Sequence, residues 1–502
     1  MRAWRHLRRV GVRQLAAVLV AVVTLADATG NAALAQVDFL TDLLMSEEQE
    51  KQVAAQEHPR ILEQFGGAYD DPGLTRYVQS LVDFLGQASA RPDITYRVTI
   101  LNSPIVNAFA LPAGYLYVTR GLLALADSEA ELAGVLAHEI GHVTARHTAQ
   151  RYSRAVMAQG IVGLLGVLTR GTQLEGMADA AMPAAAMALQ SFSREHEHEA
   201  DMLGVRTMSR AGFDPYAMAS FLAKLEAQTD LEAKLAGREG ASDQFNLFAT
   251  HPRTADRVAR SIAQAHATAV YEPMTERELY LQKIDGMLYG DDPEQGFVRG
   301  QVFAHPELDL RFAVPEGFHL LNGQSAVIAQ GPDGAVIRFD LAPGAPEQGD
   351  LPPERYIAEA WAKDQPLREL QRTTVSGFPA ATAALSLQQQ GGETGLRLAA
   401  IQTAPGQIFR FLVAAPSTAA GALSAVAKET VESFRRLTAA EKAELKPYRL
   451  TTHRVAADES PDKLAQRLPY QRLQLDRFRI LNGLRADQAM QPGQLVKLIV
   501  AD

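Results

Sequence analysis

The stretch "GVLAHEIGHVTARH", residues 134–147, places His138 and His142 four positions apart with Glu139 directly after the first. On an α-helix, positions i and i+4 stack on one face, so both imidazoles can point at a single ion. Glu139 sits about 100° round the helix, close enough to reach a water on that ion without binding the ion itself. The pattern therefore offers two nitrogen ligands and a carboxylate base within a turn and a half. His147 stands five residues beyond His142, about 140° off the ligand face of a continuous helix, and reads as structural.

Two histidines are too few, because a catalytic zinc takes three protein ligands and keeps one position open. The chain has no cysteine, so the third ligand is His, Asp or Glu. The segment "SREHEHEADMLGV", residues 193–205, packs six ionisable side chains into positions 195–201. Glu197 and Asp201 share a helical face there. One can ligate while the other orients a ligating histidine through its free ring N–H. Glu195, His196, His198 and Glu199 fall on other faces and read as solvated.

The first motif needs a rigid support. Ser128 with Glu131 three residues on reads as a capping box that starts its helix. Upstream, Asp71 and Pro72 open another helix. Between them, "YRVTILNSPIVNAFALPAGYLYVTRGLL" alternates apolar and polar residues and turns at Asn102-Ser103-Pro104, the signature of a short sheet. Residues 36–270 thus read as a mostly helical domain.

At 502 residues the chain exceeds one core. Residues 1–35 carry five arginines, the apolar run Leu15–Leu25 and a small-residue Ala33-Leu34-Ala35 site, which together read as a secretory signal peptide. Its removal takes away five Arg and one Asp and shifts the formal net charge from −9 to −13. An acidic chain of this kind argues against nucleic-acid binding. The absence of cysteine rules out disulfides and suits an oxidising periplasm, and no lipid can be attached through a thiol. The low-charge runs within 155–190 read as a buried or partly exposed apolar helical hairpin, or as an apolar flap near the site that would touch membrane or unfolded chains.

Taken together, "LNSPIVNAFALPAGYLYVTRGLL", "HEIGHVTARH", "SREHEHEADMLGV", "AGFDPYAM" and "THPRTADR" resemble the gluzincin metalloproteases of the BepA, HtpX and mitochondrial Oma type. The resemblance covers roughly residues 45–270. It implies one zinc ion on His138, His142 and Glu197, with Glu139 as general base and Asp201 in support. It implies that His251, from the family's HPxxxxR element, approaches the zinc and holds the enzyme latent. Arg257 of the same element would stabilise the oxyanion. Asn107, Ala108, Phe109 and Ala110 would form an edge strand that pairs with an extended substrate.

Residues 271–296 read as a linker, and 297–440 as an α+β sandwich domain with a weak likeness to PsbP. Residues 447–502 resemble a βααβ LysM module through "FRILNGL" and "MQPGQLVKLIV". Asp458-Glu459-Ser460 stands where LysM usually has Gly-Asp-Ser/Thr. The fold class expected is a multidomain α+β protein. The leading functional expectation is a periplasmic zinc endopeptidase acting on unfolded or misassembled envelope proteins, with peptidoglycan as a further partner of the LysM-like unit. Other readings are a chaperone-like or glycan-binding adaptor with a latent protease site, and a peptidoglycan hydrolase using the same metal.

Overall fold

The computed structural model describes residues 45–151, 192–235, 251, 255–268, 270–343, 351–389, 392–416 and 420–502. Residues 1–35, read above as a signal peptide, and the 155–190 apolar stretch lie outside these residues. Among the described residues no helix is long and apolar enough to cross a membrane.

The chain begins with helices Glu47–Gln64 and Pro72–Ala88. Asp71 caps the second by accepting from the Leu74 N–H, and Pro72 supplies the first turn. Strands β1 (Arg97–Leu101), β2 (Ala108–Leu111) and β3 (Tyr115–Thr119) form a sheet in the order β1-β3-β2. β1 runs parallel to β3 and β2 antiparallel to it, so β2 is an edge. The alternation seen in the sequence buries Val98 and Ile100 against helix Pro72–Ala88.

The HExxH helix spans Glu129–Thr144 and is buried from Ala130 to Val143. Ser128 accepts from the Glu131 N–H, as expected for an N-cap. The Glu131 carboxylate, however, takes the N–H of Asp127 rather than that of Ser128, so the reciprocal half of the capping box is displaced by one residue. The helix stops at Thr144 because Arg146 adopts a left-handed conformation, φ 58°. The HExxH helix crosses helix Arg194–Arg210 at two glycines. A Cβ on Gly141 would lie 3.0 Å from the Ala200 carbonyl oxygen, and one on Gly204 would lie 3.1 Å from the His138 nitrogen. Such close backbone approach carries Glu197 over the two histidines. Helix Tyr216–Leu235 covers the other side of the HExxH helix.

Residues 271–296 do not form a connector. They contain helix Arg277–Lys283 and strand β4 (Leu288–Tyr289), with Tyr280, Leu281 and Ile284 fully buried in the same core as the HExxH helix. Arg120, itself buried, ties this segment to the first sheet. Its guanidinium donates to Asn102 Oδ1 at 2.7 Å and to the Leu288 carbonyl at 2.8 Å.

Downstream, β5 (Phe297–Arg299), β6 (Val302–His305) and β7 (Leu310–Ala313) form a three-stranded sheet. A seven-stranded antiparallel sheet follows in the order β11-β12-β13-β14-β10-β9-β8. Its strands are β8 (His319–Asn322), β9 (Val327–Gln330), β10 (Val336–Leu341), β11 (Arg368–Val375), β12 (Phe378–Gln389), β13 (Gly392–Ala404) and β14 (Gln407–Pro416). Phe303, Phe312, Phe339, Phe409, Phe411 and Phe434 fill a separate core that helix Ala420–Glu432 helps to close.

The C-terminal unit has the expected βααβ order: β15 (Tyr448–Arg454), helices Pro461–Ala465 and Gln474–Leu481, and β16 (Leu495–Ala501). It has no core of its own. Leu450, Leu464, Phe478, Val496 and Ile499 belong to the core that holds the HExxH helix, and β15 pairs with β4. Lys497, fully buried on β16, donates to the carbonyls of Ala124 and Ala126 and pairs with Asp127 at 2.9 Å. Lys224 bridges Asp127 and Glu131 at 2.7 Å each, so two lysines and two carboxylates balance at the N-terminus of the HExxH helix.

Candidate metal centre

His138, His142, Glu197 and His251 are all buried, and each offers one ligand atom such that these atoms lie within 4.8 Å of one another. His142 Nε2 is 3.1 Å from His138 Nε2 and 3.4 Å from Glu197 Oε1. Glu197 Oε2 is 3.6 Å from His138 Nε2. His251 Nδ1 lies 2.9 Å from Glu197 Oε1 and 3.3 Å from His138 Nε2.

The donor chemistry fits a cation. The Asp201 carboxylate lies 2.9 Å from His138 Nδ1 and accepts a hydrogen bond from Nδ1–H, which leaves His138 Nε2 with a bare lone pair facing the other ligand atoms. Glu139 is buried, and among the described residues neither of its oxygens has a hydrogen-bond partner. His251 Nε2 lies 3.5 Å from it. A buried carboxylate without partners is costly unless something polar belongs beside it. The cluster is compatible with one bound zinc ion.

Arg257 anchors the carboxylates from behind. Its guanidinium donates to both oxygens of Asp201, at 2.8 and 2.9 Å, and lies 2.8 Å from Glu197 Oε2. Burial would raise the Asp201 carboxyl, but the hydrogen bonds from Arg257 and His138 outweigh it and hold Asp201 below the ordinary carboxylate range. Burial likewise opposes ionisation of Glu197, yet the neighbouring imidazoles, His251 foremost, keep that carboxyl well below its usual value. Burial is also the largest influence on His142 and pushes it well down.

Sequence reasoning missed the His147–Glu199 pair behind His142 and the rings stacked on it. His147 is buried, and its Nδ1 lies 3.0 Å from His142 Nδ1, while its Nε2 lies 3.2 Å from Glu199 Oε2. Helical projection placed His147 on the wrong face because the left-handed Arg146 breaks the helix before it. Burial lowers the His147 imidazole to about 4. Phe192 stacks on the His142 ring at 4.0 Å, and His196 on the His147 ring at 4.2 Å.

Asn107 is buried, and its carbonyl accepts from the Thr119 N–H, which continues the β2–β3 ladder. Hydrogen-bonded pairs alternate along an antiparallel ladder. Phe109 therefore pairs inward with Tyr117, and the backbone groups of Ala108 and Ala110 point away from β3, where both residues are buried and Thr148 Oγ1 donates to the Ala110 carbonyl at 3.3 Å.

A helix-borne HExxH pair, with a carboxylate from a crossing helix and a second buried carboxylate beside it, fits a zincin site of the gluzincin class. Residues 72–263 match the model of peptidase family M48. The beta-barrel assembly-enhancing protease of Yersinia pestis is 31% identical over 229 residues, which cover 44% of this chain and 45% of that one. The mitochondrial metalloendopeptidase OMA1 of Schizosaccharomyces pombe is 30% identical over 223 residues, 42% of this chain and 59% of its own. The chain thus spans about half the length of these curated relatives. The solved cyanobacterial PsbP of Synechocystis is 13% identical and matches 28% of this chain and 98% of its own, with a TM-score of 0.21, too weak to assign the domain it overlies.

Proposed function

We propose that this chain is a zinc-dependent endopeptidase that hydrolyses peptide bonds in unfolded or misassembled proteins of the cell envelope, working in the periplasm. The observation that carries the reading is the buried His138–His142–Glu197 cluster with the unpartnered Glu139 carboxylate beside it. The names of the relatives, a beta-barrel assembly-enhancing protease and a mitochondrial metalloendopeptidase, support the substrate class.

His138, His142 and Glu197 hold the ion, which when bound acidifies a water and polarises the scissile carbonyl. Glu139 takes the proton of the attacking water and returns it to the leaving nitrogen. Asp201, fixed by Arg257, keeps His138 in the tautomer that leaves Nε2 free. The outer side of β2 at Ala108 and Ala110, buried here and touched by Thr148, would receive the substrate backbone in extended form once uncovered, which favours unfolded chains over folded ones. His251, within 3.3 Å of His138 Nε2 and 2.9 Å of Glu197 Oε1, would compete with substrate for the ion and would move aside before a substrate enters. The C-terminal unit adds a contact to wall glycan.

The test is hydrolysis of unfolded casein by the zinc-loaded chain, by Glu139→Gln and by a chelated sample. Cleavage by the unaltered zinc-loaded protein alone is expected. Stoichiometric zinc without cleavage in any sample, including His251→Ala, would refute the protease reading.

A further inference from the structure

We infer that His147 and Glu199 form a positioning relay that fixes the tautomer and ring plane of the ligand His142. The inference rests on the zinc reading above and adds to it two residues of this chain that do not touch the ion.

The argument follows from which atoms can hold a proton. Glu199 accepts only, so the 3.2 Å contact requires His147 to carry hydrogen on Nε2. A neutral His147 with hydrogen on Nε2 has a bare lone pair on Nδ1. That lone pair lies 3.0 Å from His142 Nδ1, which must therefore be the donor. With its hydrogen on Nδ1, His142 presents a bare Nε2 to His138 Nε2, 3.1 Å away, and to Glu197. The hydrogen bonds thus donate in one direction, from His142 through His147 to the carboxylate at the surface.

The two ligating histidines are consequently oriented by different means. His138 donates directly to a buried carboxylate, Asp201, which is itself locked by Arg257. His142 donates to another imidazole, and the carboxylate behind it, Glu199, has a side chain 52% exposed. Stacking holds both rings of the relay flat, Phe192 on His142 and His196 on His147. The left-handed turn at Arg146 makes this possible, since a continued helix would carry His147 away from His142.

The experiment measures zinc affinity of the full chain by chelator competition, together with the visible spectrum of the cobalt-substituted protein. Loss of an outer hydrogen-bond partner of a metal ligand weakens binding roughly 10–100-fold. His147→Leu is expected to show that loss and an altered cobalt spectrum. His147→Asn, which keeps an acceptor near Nδ1, is expected to recover most of the affinity. Glu199→Ala, at an exposed position that leaves folding intact, is expected to show a smaller loss in the same direction. A purely structural His147 would alter the thermal midpoint of the zinc-free protein and leave affinity and spectrum unchanged. That result, or His147→Asn binding no better than His147→Leu, overturns the relay. Failure of the unaltered chain to bind zinc would sink the metal reading itself, whereas tight binding that all three variants share would sink the relay alone.

Discussion

Replacing Arg257 with Met tests whether the guanidinium holds the metal site together or serves the reaction. Its three nitrogens lie 2.8–2.9 Å from oxygens of Asp201 and Glu197, and all three groups are buried. With charge centres about 4 Å apart, each pair attracts by about 4 kcal/mol at an effective dielectric constant near 20. Desolvation of the ions offsets much of that gain, but removing one partner leaves two buried carboxylates short of their cation. The expected cost is about 3–5 kcal/mol, a large share of the roughly 5–15 kcal/mol that stabilises a domain. Because the loss is local, the assay is amide hydrogen exchange of peptides covering Glu129–Thr144 in the zinc-free chain. Exchange there should accelerate roughly 10²–10⁴-fold. Zinc should restore more protection to the variant than to the parent, because its two positive charges meet one more uncompensated carboxylate. Exchange within threefold of the parent would refute the ion-pair argument. If zinc affinity were also unchanged while turnover fell, Arg257 would be acting on the oxyanion, as the sequence resemblance suggested.

Two further outcomes are expected. Asp201 and Glu197 both ionise below the ordinary carboxylate range, so their stabilisation is complete above a pH of about 4 and is lost as pH falls through their folded-state values. Acid unfolding of the zinc-free chain, followed by circular dichroism, should be less steep in Asp201→Asn, and equal slopes would contradict the assignment. Ending the chain at residue 446 removes Leu450, Phe478, Val496 and Lys497 from the core of the HExxH helix. The shortened protein should bind a hydrophobic dye and lose protection over Glu129–Thr144, and an unchanged melting curve for that helix would show the C-terminal unit to be dispensable.

What the sequence disclosed follows from how local each feature is. The HExxH helix and the Glu197–Asp201 pair are set by spacing within one or two helical turns, where 3.6-residue geometry is reliable. His147 was misplaced because that geometry ended one residue earlier, at a left-handed arginine that no composition signal announces. Glu199 reads as a solvated carboxylate from its helical face, and it is exposed, yet one oxygen reaches back to His147. The segment 271–296 looked like a linker because its apolar residues are few. Their partners, β15 and β16, lie more than 150 residues downstream, beyond the reach of any window read along the chain. The βααβ order of the C-terminal unit was legible from its turns, but the fusion of its core with that of the first domain was not.

The amine of Lys497 meets the carbonyl of Ala124 across a sequence separation of 373 residues. A ribosome adding ~5–20 residues per second needs roughly 20–75 s to cover that distance. Throughout that interval the start of the HExxH helix lacks β16 and one of the two lysines that neutralise Asp127 and Glu131. The HExxH helix therefore gains its full set of packing and charge partners only after the intervening sheets have been made.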